Sequence, residues 1–561
     1  MLTPDYLEYC ADDIVELYSQ LDESIIRDIA RRIVKTGNIT DTANWQIEKI
    51  QQGGYLYDDV IAEIARITGE SDSRVKTLFE NAGLKSMEFD NAIYKKAGFV
   101  IPKDVMSAAA YQVLRAGADK TSGNLRNLTM TTANTSQSAY INACTLAEMQ
   151  VESGAFDYQT AIRNAVREAA KKGSVVSYPS GHIDRLDVAV RRAVLTGVSQ
   201  TTGQVALQNA KDMGCDLMEI TAHSGARPSH QVWQGQLVSL SGRTGYFSLS
   251  DIGYGEGSGF KGWNCRHDWF PYFEGISERA YTNDDLKALE DETVTYNGKS
   301  YTEYAATQVQ RAMEREIRST RRELIGLDEL IKGGDSGAKA EFENLSVKLK
   351  SQEAKLKDFC YGTDRRVDKF RVQVNGFDKS VSQKAVHTAK NHYTVWSKEH
   401  NINNSIKSLA DYYKVKYNDK KTYGILQAYV KSVDNGMLSP LVGFDLYLQY
   451  HSKVENELIG LITSNGIQIK SQSKHFLERV FGTMEDPKIK KDKDISVPRT
   501  GIEFDDIKNA LLNGKPRPHY KIDEDTNKRI LDPESISLIT NKCWVSVNPI
   551  TGNLIQVTPK I

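Results

Sequence analysis

The chain has 561 residues, 40% of them hydrophobic and 26% charged, with a formal net charge of −1. That length exceeds a single core and points to three or four domains, while the charge balance excludes a global pull toward nucleic acid or a membrane surface. No apolar run nears the roughly 18 residues of a membrane span. The acidic start MLTPDYLEYCADDIVELY is unlike a signal peptide, so synthesis in a cytoplasm is expected. Six cysteines (Cys10, Cys144, Cys215, Cys265, Cys360 and Cys543) are scattered with no CxxC pair, which fits reduced thiols better than a disulfide framework.

Residues 3–36 read as two helices, with Leu7, Ile14, Leu17 and Leu21 on one face of the first and Ile25, Ile29 and Ile33 on the second. Gly37 is expected to stop the second. Thr40 or Asp41 caps a third helix through Trp45, Ile47 and Ile50, which Gly53-Gly54 should end. A fourth is expected over about 56–68, and a fifth opens at Ser71 or Asp72. Helices continue over 100–172, and the Ser/Thr/Asn-rich stretch 127–140 reads as a joint or a weakly started helix. One helix then runs through Leu186, Val190, Val194 and Val198, carrying Arg191-Arg192. A second covers roughly 199–213, and CDLMEITAH reads as a buried strand that delivers His223 into a loop.

That loop, 221–275, is the densest stretch of unusual residues in the chain. It holds His223, His230 and His267, the tryptophans Trp233, Trp263 and Trp269, and many glycines. His223, His230, Cys265 and His267 are of the types that bind zinc, but C-x-H is not a standard structural-zinc spacing and no CxxC supports it. The leading expectation is that each histidine buttresses irregular backbone through a hydrogen bond to a carbonyl, with zinc binding and catalysis as alternatives. The three tryptophans are expected to form the small core that pins the loop.

After the loop, 283–291 reads as a helix and VTYNGKSYTEY as a hairpin around Asn297-Gly298. Residues 304–358 carry two apolar seams broken at GGDSG (333–337), the pattern of an antiparallel helical hairpin with charged outer faces, a solvated spacer or an oligomer contact. Residues 359–385 lose periodicity and read as a linker. The remainder, 386–561, begins with helices and ends with strands joined at Ile550-Thr551-Gly552. Over 401–561 there are 23 Lys+Arg against 19 Asp+Glu, a mild basic bias. The expected fold is therefore multidomain and mostly α. It comprises an α-helical N-terminal domain (1–172), an irregular α+β module (173–303), the hairpin arm (304–358), the linker (359–385) and a C-terminal α+β domain (386–561).

HSGARPSHQVWQGQ followed by GYGEGSGFKGWNCRHDWFPYFEG resembles the signature of the phage minor capsid protein family related to Mu-type head morphogenesis proteins. The Arg191-Arg192 helix and DFCYGTDRRVDKFRVQVNGFDKSVS match its layout, and the resemblance covers roughly 1–385. It implies a virion protein made in the host bacterial cytoplasm, present in few copies inside the head near the portal, and serving head assembly or DNA packaging. Its partners would be the portal, other head proteins and packaged DNA, with no cofactor. Members often carry a cysteine shortly before the Gly-Trp-Asn-Cys-Arg-His run, where this chain has Lys261, which weighs further against a metal.

In SQSKHFLERVFG, His475 and Arg479 stand at i and i+4 on one helical face. Arg499 precedes a capped helix, and Thr551 lies between the terminal strands. This order resembles the ribonuclease-toxin superfamily of the barnase, EndoU, colicin and RelE type. The resemblance implies metal-independent RNA cleavage, with His475 transferring protons, Arg479 and Arg499 stabilising the phosphate, Thr551 orienting, and Lys542 a weaker candidate. The alternative is a purely structural virion protein. In that reading His475 and Arg479 bridge to Glu478 or Asp506, and the C-terminal domain is an inactive binding module.

Overall fold

The computed structural model describes residues 1–35, 43–101, 106–483, 499–522 and 529–560. Two compact units divide it, Met1–Thr388 and Ala389–Ile561.

The first unit opens with α1 (Pro4–Tyr9) and α2 (Asp12–Lys35). The break falls at Cys10-Ala11, so both expected apolar faces belong mainly to α2. The expected Gly37 stop and the Thr40 or Asp41 cap lie outside the described residues. The three helices expected over 43–96 are one, α3 (Ala43–Lys96). At 54 residues it is about 80 Å long. Gly53 does not stop it; the residue packs beside Ile141 of the next helix, where a Cβ would make ordinary contact at 3.4 Å. Ser71 is no cap; it is buried and accepts a 3.1 Å hydrogen bond from the Tyr18 hydroxyl.

Likewise 127–140 is not a joint but the middle of α4 (Ala108–Glu152). Its hydroxyls return to the preceding turn, with Ser136 donating to the Thr132 carbonyl at 2.7 Å, and Thr129, Thr132 and Ser136 are buried. After α5 (Tyr158–Lys172), β1 (Val175–Ser177) pairs with β2 (Ile183–Arg185). The two helices expected over 186–213 are one, α6 (Leu186–Asp212). Small residues let α4 and α6 cross closely. A Cβ at Gly117 would lie 2.1 Å from Thr201 Oγ1, and one at Gly197 2.2 Å from Thr121 Oγ1.

The central module holds β3 (Leu217–Ile220), α7 (Pro228–Gln231), β4 (Leu237–Ser239) and β5 (Trp269–Tyr272). They make an antiparallel sheet in the order β4-β3-β5. β3 is the expected buried strand, and all four of its residues are buried. Next come α8 (Asn283–Asp291) and the hairpin β6 (Thr293–Tyr296)–β7 (Lys299–Thr302). Asn297 and Gly298 at its tip have φ of 54° and 77°, the left-handed pair that a two-residue hairpin turn requires.

α9 (Glu303–Lys332) and α10 (Gly337–Gly362) form the expected helical hairpin. α9 is not a solvated spacer, however. Its charges are buried against the helical core, where Arg322 pairs with Asp22 at 2.9 Å, Glu329 with Arg31 at 2.9 Å, and Glu323 with Arg167 at 3.1 Å. Nor is 359–385 a free linker. α11 (Lys369–Val372) sends Arg371 to Glu8 at 2.9 Å, and Val372, Val381 and Ala385 join the main core. The aperiodicity there reflects short packed pieces rather than exposure.

α12 (Lys379–Glu399) carries the division between the units. The second unit contains α13 (Leu409–Asn418), α14 (Lys420–Asp434), α15 (Phe444–Lys453), β8 (Ser471–Gln472), α16 (Lys474–Phe481), β9 (Gly482–Thr483), β10 (Arg499–Thr500), α17 (Phe504–Asn513), β11 (Lys515–Ile522), β12 (Arg529–Ile539), β13 (Cys543–Val547) and β14 (Asn553–Pro559). Its main sheet runs β11-β12-β13-β14-β8, antiparallel except where β8 joins β14 in parallel. Leu538, Val545 and Leu554 from the sheet pack with Phe476 and Leu477 of α16, Ile507 of α17, and Tyr429 and Phe444 of the earlier helices. The fold is thus mostly helical with a small mixed sheet near the C-terminus, as the sequence leads one to expect.

Candidate functional site

In the central loop each histidine ring is tied to a backbone carbonyl. His267 Nδ1 meets the Thr221 carbonyl at 2.8 Å, His223 Nδ1 that of Ser224 at 2.9 Å, and His230 Nε2 that of Ser258 at 2.9 Å. A carbonyl only accepts, so those ring nitrogens carry the protons. The rings cluster, with His223 stacked on His267 at 4.4 Å between centroids and Trp233 set edge-on to His267 at 4.9 Å. Burial holds all three below the ordinary histidine range. His223 falls to about 4, with help from the Arg266 charge, and His267 lies well below 6.5, with help from His223. They are neutral rings at pH 7. Burial pushes the Cys265 thiol up, and the backbone N–H groups of His267 and Lys261 face its sulfur. Among the described residues no group of three or more His, Cys, Asp or Glu side chains could hold a metal ion.

Lys261 is 1% exposed and pairs with the equally buried Asp268. Asp268 Oδ2 accepts the Leu2 N–H at 2.5 Å, and its backbone N–H reaches Thr221 Oγ1 at 2.9 Å. The loop closes on itself at glycine, where a Cβ on Gly259 would lie 2.1 Å from the Gly253 carbonyl oxygen. Buried Glu219 on β3 accepts Arg279 at 3.1 Å and the Ala280 N–H at 3.0 Å, which ties down the segment after β5. Of the three tryptophans, Trp233 and Trp269 are buried core, but Trp263 is 56% exposed and does not pin the loop. The arrangement is a stack of neutral rings and internally paired charges. It fixes a shape.

In the second unit, β8 leads directly into α16, so His475 stands at the start of that helix and Arg479 one turn on. His475 is 73% exposed, and its Nδ1 lies 2.6 Å from Glu478 Oε2; Glu478 is itself buried and held by the Ser432 hydroxyl at 2.5 Å. The Asn553↔Ser471 and Leu554↔Gln472 pairing sets exposed Thr551, in the turn before β14, beside the strand that enters α16. Arg499 pairs through its backbone with Thr483, beyond the other end of α16. The sequence-predicted set therefore divides between the two ends of one helix. Lys542 pairs with Asp506 at 3.1 Å.

Sequence reasoning passed over His519. It sits in the β11 irregularity between Pro518 and Tyr520, with Nε2 at 2.5 Å from Ser537 Oγ, which in turn lies 3.0 Å from Ser546 Oγ. Lys515 and Arg517 alternate along this edge strand ahead of the irregularity, with His519 in it and Lys521 beyond it. That alternation was the available signal, but Pro516 and Pro518 hid the strand.

The first unit is thus a helical body around a central loop of stacked histidine rings and internally paired charges. The family described as phage minor capsid protein 2 matches residues 2–361. The chain belongs to that family, and so is a phage capsid protein located in the virion. A protein of Lactococcus phage LL-H, described as a structural protein, is 26% identical over 293 residues, which is 50% of this chain and 76% of the relative. No solved structure matches. No helix among the described residues is long and apolar enough to cross a membrane.

Proposed function

We propose that this minor capsid protein lies at the portal vertex inside the head, in few copies, contacts the portal and neighbouring head proteins, and serves head assembly or DNA packaging. We further propose that residues 386–561 are a metal-independent endoribonuclease carried in the particle. The observation that supports the second part is the His475–Glu478 pair. An exposed imidazole is held at 2.6 Å by a buried carboxylate, one turn from Arg479. Glu478 fixes which ring nitrogen carries the proton and leaves Nε2 to the substrate. Nε2 takes the proton of an RNA 2′-hydroxyl as its oxygen attacks the adjacent phosphorus and the 5′-oxygen leaves. Arg479 offsets the charge that builds on the phosphate oxygens.

The test is to incubate the full chain with total RNA in EDTA beside His475→Ala and Arg479→Ala. Cleavage by the wild type and a drop of about 100-fold or more in each variant is expected. Intact RNA with the wild type leaves the inactive binding module as the reading, and cleavage by both variants as by the wild type means that the nuclease site is not at His475 and Arg479. Quantitative mass spectrometry of purified particles tests the first part; the chain at a copy number near that of the major capsid protein would contradict a portal location.

A further inference from the structure

Within the first unit, α2, α6, α9 and α11 enclose a cavity of about 200 Å3 beside the central loop. Seven arginines line it against four carboxylates, Glu8, Asp22, Asp187 and Glu314. The pairing leaves positive charge over. Glu8 is shared by Arg266, Arg371 at 2.9 Å and Arg311 at 3.5 Å, while Asp368 also holds Arg371 at 3.0 Å and Asp12 holds Arg191 at 2.5 Å, which brings six carboxylates against the seven arginines. Arg315 is exposed and has no carboxylate partner among the described residues.

Among the buried polar atoms of the lining, one acceptor, Asp187 Oδ1, lacks a donor, and unpartnered donors outnumber it. Arg318 Nε, Arg322 Nη1 and Asn375 Nδ2 line this cavity, are buried, and have no acceptor among the described residues. Arg322 is 3% exposed. Three buried donors without acceptors, in a site with surplus positive charge, are an unusual cost for a folded chain to carry. A second cavity of about 230 Å3 shares Asn264, Arg266 and Arg311 with the first and has no carboxylate in its lining. It adds Arg227, which donates to the Trp263 carbonyl at 3.0 Å.

We propose that the arginine-lined cavity binds a phosphoryl oxyanion. Guanidinium forks match the tetrahedral oxygens of phosphate and keep their charge at any pH a virion meets. An oxyanion supplies acceptors to the three orphan donors and charge to offset the surplus, whereas a water molecule supplies only the first. The volume is below the roughly 300–1,000 Å3 of pockets for drug-sized ligands, so the site suits a phosphate or pyrophosphate group rather than a whole duplex. That group is either free or the phosphate end of a nucleotide reaching in through the adjoining cavity. Such a ligand would clamp α2, α6, α9 and α11 together and couple the solidity of the head protein to its ionic surroundings.

The experiment uses the purified full chain, with thermal melting and isothermal titration calorimetry against inorganic phosphate, pyrophosphate and ATP, each beside sodium chloride of matched ionic strength. The melting midpoint is expected to rise with at least one phosphate compound and not with chloride. Binding of pyrophosphate without ATP assigns a free phosphate; equal binding of both assigns a nucleotide. Arg311→Gln should weaken the binding tenfold or more. Asn375→Asp, which places a carboxylate where the anion would lie, should abolish it, and decides the matter if Arg311→Gln does not fold. A midpoint that follows ionic strength alone, or an Asn375→Asp protein that binds as the wild type does, would overturn the proposal.

Discussion

Lys261 and Asp268 are each 1% exposed, so each depends on the other. Removing one member of a buried pair strands a charge, and Lys261→Met should cost about 3–5 kcal/mol in urea unfolding. Adding Asp268→Asn removes the stranded charge while keeping one of its two acceptor oxygens, and should recover more than about 1 kcal/mol of that loss. If the double variant is no better than the single, Asp268 is not the source of the cost. The buried histidines add a pH dependence whose sign follows from burial. Their folded pKa values are depressed, so the unfolded chain binds more protons as pH falls. Stability is fully present above the unfolded value near 6.5 and is lost progressively toward about 4, where His223 takes its proton in the folded state. The slope approaches about 1.4 kcal/mol per pH unit for each such histidine. His223→Gln should flatten the acid limb of a stability-versus-pH curve between 6.5 and 4; an unchanged limb would mean that the ring is not neutral in the fold. These histidines were legible as residue types in the sequence, but their carbonyl partners exist only in the closed loop.

At the scale of elements, a glycine inside a helix can mark a close crossing rather than a helix end. Gly117 and Gly123 lie on the same helix, α4, and have opposite surroundings. A Cβ at Gly117 meets Thr201 at 2.1 Å, while one at Gly123 meets nothing within 4 Å. Gly117→Ala should therefore destabilise by about 1–3 kcal/mol through overpacking. Gly123→Ala should stabilise by roughly 0.5–1 kcal/mol through helix propensity. Denaturant midpoints of the two variants check both signs, and shifts of the same sign would contradict the crossing. The same physics explains what the sequence hid. Small and hydroxylated residues such as Gly53, Ser71 and Thr129–Ser136 read as stops, caps and joints because local propensity says so, whereas long-range packing uses them to bring helices together. Elements whose signal is local were legible: the Asn297-Gly298 turn, the buried strand before His223 and the break at 333–337. The hairpin α9–α10 was legible too, but its burial was not, because charges paired across elements look like a solvated face in one dimension.

The described residues divide into two units, Met1–Thr388 with its main core and smaller satellite clusters and Ala389–Ile561 with a core of its own, and the family match ends at 361. Calorimetry should resolve two unfolding transitions. Leu538→Ala, in the second core, should cost about 2–5 kcal/mol and lower one midpoint only; a shift of both would mean that the units melt together. The identity of the first unit was legible because its loop motifs are specific. The second unit was less legible, because a His/Arg pair on a helix is common and the basic residues of β11 were masked by its prolines. We propose shape for the loop and chemistry for the second unit, and one assay separates them. Full-length wild type, His475→Ala and His223→Gln are compared for cleavage of total RNA in EDTA. The expected result is cleavage by the wild type and by His223→Gln, with loss in His475→Ala. RNA left intact by the wild type, or activity lost in His223→Gln and kept in His475→Ala, would contradict it.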